Sequence, residues 1–131
     1  MAGAPSDQAL SLLAAANNHG DLAVKMSSLK QAKDILLSIE PSLAAELFPY
    51  LVELHSSPET LVRKSLIDAI EEIGLKALEH SSVFMPVLLA LLKDVEPSVA
   101  RQSIVIGTNF FCSVLEELAL QIYSIWLNHV L

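Results

Sequence analysis

Apolar residues recur at intervals of three and four through almost the whole chain, the spacing of one face of a helix. The pattern is broken at readable signals. Ser6 and Asp7 can cap a first helix, which closes at Asn17-Asn18-His19-Gly20, where a glycine suits a left-handed end. Asp21 caps a second, running to about Ile39 with Leu22, Met26, Leu29, Ala32, Ile35, Leu36 and Ile39 on one side. Lys25, Lys30, Lys33 and Asp34 fall mostly elsewhere. Pro41 opens a third helix striped by Leu43, Leu47, Leu51 and Leu54 and closed by His55-Ser56-Ser57-Pro58. A fourth starts near Glu59 with Val62, Leu66, Ala69, Ile70, Ile73 and Ala77 inward. Its other face carries Lys64, Asp68, Glu71, Glu72 and Lys76, with Lys64–Asp68 and Glu72–Lys76 spaced as i,i+4 ion pairs. Ser81-Ser82 caps a fifth, with Phe84, Val87, Leu88, Leu91 and Leu92 inward, and Lys93–Pro97 is a turn into a sixth. Residues 1–5 are expected to be disordered.

An offset of 37 residues superimposes the later helices on the earlier ones. Pro49 falls on Pro86, Leu51 on Leu88, Leu54 on Leu91, Glu59 on Glu96, Val62 on Val99 and Ile67 on Ile104. The two prolines lie inside helices at the same relative place, a repeated device. A two-helix unit at this period predicts an all-α, HEAT/armadillo-type superhelix, because one unit cannot bury both of its apolar stripes alone. About three helix pairs are expected, over 6–39, 41–80 and 81–117, with a partial helix over 118–131. Tetratricopeptide repeats have a shorter period and an aromatic pattern missing here. The cations opening the second helices, Arg63-Lys64 and Arg101, call for acids in an adjacent turn, and Asp94 and Glu96 are the local ones. The exposed face of those helices offers Lys64, Asp68, Glu71 and Arg101 to a protein partner. The sixth helix is apolar nearly all round, so an exposed apolar end is expected, marked by Phe110, Phe111, Tyr123 and Trp126.

Composition narrows the function classes. The chain is 53% hydrophobic but 5% aromatic, the profile of Leu/Ala-rich helices, and its net charge is −7 with no basic segment. Direct nucleic-acid binding and anionic membranes are therefore disfavoured, since phosphates call for a Lys/Arg patch. The apolar stretches Ser103–Leu115 and Leu118–Leu131, parted by Glu116-Glu117, each fall short of the roughly 20 residues of a membrane span. No signal-peptide pattern opens the sequence. The single cysteine, Cys112, allows no internal disulfide and reads as a small buried hydrophobe. His19, His55, His80 and His129 stand far apart, each near a helix end, and offer no metal-ligand spacing. Gly20, Gly74 and Gly107 are isolated and form no phosphate loop. The sequence therefore predicts no catalytic residue, cofactor or metal.

The segments DLAVKMSSLKQAKDILLSIEPSLAAELFPYLVEL, LVRKSLIDAIEEI and LLALLKDVEPSVARQSIVIGTNFF resemble the N-terminal HEAT domain of the symplekin family, with a plant-like flavour. Val62–Glu72 is the most specific part. The resemblance implies a nuclear, nonenzymatic scaffold of messenger-RNA cleavage and polyadenylation. Its partners would be proteins of that complex, among them a phosphatase acting on the C-terminal domain of RNA polymerase II. That family's solenoid continues through further repeats, whereas Leu118–Leu131 departs from its pattern, as a truncated product with little activity would. On the repeat alone, a generic HEAT adaptor for transport or chromatin is the alternative.

Overall fold

A computed structural model describes residues 4–130, with the side chain of residue 130 left aside. Six α-helices account for nearly all of it: α1 Pro5–Asn18, α2 Leu22–Ser38, α3 Pro41–Val52, α4 Thr60–Lys76, α5 Ser81–Leu91 and α6 Pro97–Val130. Short 3₁₀ turns, Glu53–Ser56 and Leu78–His80, follow α3 and precede α5. There is no strand among the described residues.

The helices pack in two layers. α1, α3 and α5 neighbour one another in one; α2, α4 and α6 do so in the other; α1 lies on α2 and α5 on α6 across the interface. The core runs along that interface. Val62, Leu66, Ile67 and Ile70 of α4 are completely buried, each contributing on the order of 1.5–3 kcal/mol by leaving water. Three phenylalanines tie the later elements together. Phe48 of α3 packs on Phe84 of α5 at 4.9 Å between ring centres, and Phe84 meets Phe110 of α6 edge-on at 6.4 Å.

Local signals explain most boundaries. The Asp21 carboxylate accepts the Ala23 N–H at 2.8 Å and starts α2. Pro41 occupies the first turn of α3, and Pro49 and Pro86 lie inside α3 and α5 on exposed faces. Thr60 and Pro97, the first residues of α4 and α6, are 37 apart, so the repeat offset holds for the helices themselves.

Several expectations are corrected. Ser81 and Ser82 lie inside α5, with His80 at its cap position and no side-chain cap bond, and Leu43 and Leu92 are exposed. Pro5 opens α1, one residue inside the segment expected to be disordered, with Ala4 at the cap in place of Ser6 or Asp7; a proline is preorganised for that position. Residues 1–3 of that segment lie outside the described residues. Gly20 is not left-handed: α1 ends on an extended His19, whose Nδ1 accepts the Asp21 N–H at 3.0 Å. Lys25 is buried along most of its length, its aliphatic stem behaving as an apolar group. The partial helix over 118–131 is no separate element, because α6 runs unbroken through Glu116 and Glu117. Glutamate is a good helix former, and neither proline nor glycine intervenes there. Leu131 lies outside the described residues.

Candidate interaction surfaces

The turn between α5 and α6 is locked to the start of α4. Arg63 Nε and Nη2 donate to Asp94 Oδ2 and Oδ1 at 2.8 and 3.1 Å, and Nη1 donates to the Ser57 carbonyl at 2.8 Å. Asp94 Oδ1 also accepts the Glu96 N–H at 2.9 Å. The two side chains are only 10% and 8% exposed. Burial pushes the Asp94 carboxyl upward. The Arg63 hydrogen bonds, the Glu96 N–H and the Arg63 charge outweigh that and hold it below its ordinary value. The expected cation–acid pairing is thus found for Arg63. Arg101 is exposed and makes no ion pair among the described residues.

The second-layer helices are joined by polar contacts that periodicity did not foresee. Lys33 of α2 pairs with Glu72 of α4 at 3.2 Å. Gln102 of α6 donates to Asp68 Oδ1 at 2.7 Å and to the Lys64 carbonyl at 3.1 Å. The expected i,i+4 pairs Lys64–Asp68 and Glu72–Lys76 do not form within the ion-pair distance, because Glu72 and Asp68 find partners on neighbouring helices. Of the four residues predicted to meet a partner, Asp68 and the Lys64 backbone are therefore occupied in holding α6 to α4. Glu71 is half-buried, and Arg101 is the most available.

The histidines make local contacts. His55 and His129 bond through Nδ1 to the Val52 and Ile125 carbonyls, and His80 packs edge-on to Phe48 at 5.6 Å. No cluster of metal-ligating residues occurs among the described residues.

The largest apolar surface belongs to α6. Ile67 of α4 is 0% exposed, but Ile104, one repeat later at the same register, is 52% exposed. The face that is buried in α4 is bare in α6. Between α5 and α6 this leaves a groove of about 430 Å³ walled by Leu88, Leu89, Leu92, Ile104, Gly107 and Phe111. Beyond it α6 projects from the body: nearly every side chain from Leu115 on is exposed. The predicted apolar end is present with one correction. Phe111, Tyr123 and Trp126 are 50%, 60% and 58% exposed, but Phe110 is 1% exposed. Phe110 lies against Gly74, where an added Cβ would come within 2.3 Å of its ring. Cys112, expected inside, is exposed, because it sits on the opposite side of α6 from that contact.

One series among the exposed residues forms a seam. From Ile104 to His129 it advances in alternating steps of four and three: Ile104, Phe111, Leu115, Leu118, Ile122 and Ile125, with Thr108 and His129 completing it, while Val105, Leu120, Tyr123 and Trp126 are exposed outside it. This is the spacing by which two helices interlock along their length. Sequence reading overlooked it because the series crosses the break expected at Glu116-Glu117; the signal was the unbroken spacing. α6 is also the one described helix long and apolar enough to cross a membrane, a property hidden while Ser103–Leu115 and Leu118–Leu131 were counted apart. No protein-family model, curated protein or solved structure matches the chain.

Proposed function

We propose that this chain is a HEAT-type solenoid segment that acts as a non-catalytic scaffold through protein–protein contacts. The change from buried Ile67 to bare Ile104 carries the reading. A repeated two-layer stack that leaves an apolar register open presents a surface made to be covered by protein. The Arg63–Asp94 lock supports it, since it ties one helix pair to the turn of the next. The resemblance of Asp21–Glu79, and within it Val62–Glu72, to symplekin gives the finer proposal: assembly of the cleavage and polyadenylation machinery in the nucleus, with a polymerase C-terminal-domain phosphatase among the partners. That finer proposal rests on those residues alone.

The test is co-purification from nuclear extract. Wild-type chain is expected to recover cleavage and polyadenylation subunits, and Ile104→Glu with Phe111→Glu is expected to lose them while keeping the same helicity. Recovery of a consistently unrelated set of cytosolic proteins would overturn the symplekin reading and leave a generic adaptor.

A further inference from the structure

We infer that the seam of α6 pairs with the same seam of a second copy of this chain, antiparallel. The inference rests on the reading of the α6 face as a protein-binding surface and names its occupant.

Four observations point to this occupant. The first is register. The seam is symmetric about its middle, so an antiparallel copy sets Leu115 against Leu118, Phe111 against Ile122 and Thr108 against Ile125, each reciprocated. Such self-complementarity is what a twofold interface requires. The second is shape. The antiparallel arrangement carries the projecting end of one α6, with Trp126, across the other copy's groove at Leu89 and Leu92, so each copy covers both bare features of its partner.

The third is charge. Two copies at −7 repel one another. From Gln102 to Val130 there is no Lys or Arg, and the only acids are Glu116 and Glu117, which the helical period turns away from the seam. The contact surface is therefore the one long face on which the repulsion is not felt at close range. Glu116 and Glu117, two adjacent acids in mid-helix, would have to enter the lipid of a spanning helix, which speaks against a membrane as occupant.

The fourth is area. The seam is about 39 Å long at 1.5 Å per residue. Its exposed apolar side chains, with Trp126, amount to roughly 700 Å² per copy, close to the roughly 800 Å² per partner of a stable complex.

Sedimentation and light scattering of the full chain over a wide concentration range decide the question. The expected mass is twice 14.2 kDa. Ile122→Glu, which would bury a carboxylate against Phe111 of the other copy, is expected to halve it with the far-ultraviolet dichroism unchanged. Ser124→Glu adds the same charge on the outer face and is expected to keep the dimer. For orientation, in a Cys112→Ser background, chains with Thr108→Cys and chains with Ile125→Cys are mixed and oxidised. A mixed cross-link is expected, and none from Ile125→Cys alone. A monomer at every concentration, a cross-link from Ile125→Cys alone, or capture of monomer by phosphatidylcholine vesicles would each overturn the inference. A monomer that still recovers protein partners through Phe111 sinks only the pairing of copies. A chain that does neither sinks the scaffold reading as well.

Discussion

Replacing Arg63 by methionine tests how the α5–α6 pair is held to the rest of the molecule. Methionine keeps much of the apolar stem, so the perturbation removes charge and hydrogen bonds with little loss of packing. Three bonds go: two to the Asp94 carboxylate and one to the Ser57 carbonyl. Asp94 keeps only the Glu96 N–H, and a nearly buried carboxylate is left without its counter-charge. Breaking one side of a deeply buried pair costs about 3–5 kcal/mol, and an exposed pair is worth about 0–1 kcal/mol. This pair lies at a turn with both side chains about one-tenth exposed, so a loss of about 2–3 kcal/mol is expected. That corresponds to a drop in Tm of roughly 10 °C for a chain of this size. Urea unfolding followed by far-ultraviolet dichroism is the assay, at fixed protein concentration because association would shift the midpoint. Fluorescence is a poor reporter, since the single tryptophan, Trp126, sits on the projecting helix. Amide exchange should show α5 losing protection before α1 and α2. Asp94→Ala and the double variant close a cycle, with a coupling above about 1 kcal/mol expected. An Arg63→Met variant within about 0.5 kcal/mol of wild type, or additive behaviour in the cycle, would refute the lock.

Three further outcomes follow from the same geometry. Gly74→Ala gains about 1 kcal/mol of helix propensity but drives a methyl into the Phe110 ring, an overpacking that costs about 1–3 kcal/mol; a net fall in Tm is expected, eased when Phe110→Leu is added. In the monomeric Ile122→Glu background, Phe110→Ala should cost about 3–5 kcal/mol as a core truncation, and Phe111→Ala under about 1 kcal/mol, although both stand in one apolar run; equal losses in chemical denaturation would show that α6 is rotated. Because the folded-state Asp94 pKa lies below its ordinary value, its contribution to stability is present above about pH 4 and is lost as pH falls through the folded value; the stability difference between wild type and Asp94→Asn should therefore be flat from neutrality to about pH 4 and shrink below it.

Much of the helix plan was legible because its signals are local. Asp21, Pro41 and Pro97 act within a turn of where they stand, and the stripe of α4 needs only a period of 3.6 to be read. The 37-residue offset reached further, since it fixed the starts of α4 and α6 in the same register. What stayed hidden depends on distances between helices. Nothing near Asp68 or Glu72 in sequence announces that Gln102 and Lys33 will come closer than the neighbour four residues away. Gly74 carries no local turn signal; its meaning is the ring of Phe110, 36 positions on.

The hardest case was α6, and the reason is physical. Periodicity identifies the buried arc of a helix only when the opposite arc is polar. In α6 apolar residues surround the axis, so the pattern shows that several arcs are to be covered without showing which are covered by the chain itself. Phe110 and Phe111 illustrate it: adjacent, identical in kind, and about 100° apart round the axis. One is received by Gly74 and the other is left in solvent. Once the body claims the arc of Val99, Ile106 and Phe110, the remaining exposed residues include a set that runs from Ile104 to His129 in the alternating four–three series. The helix thus has two hydrophobic faces with two tasks. The first fastens α6 to α4 and α5. The second, free of charge and self-complementary in register, is left uncovered by the described residues.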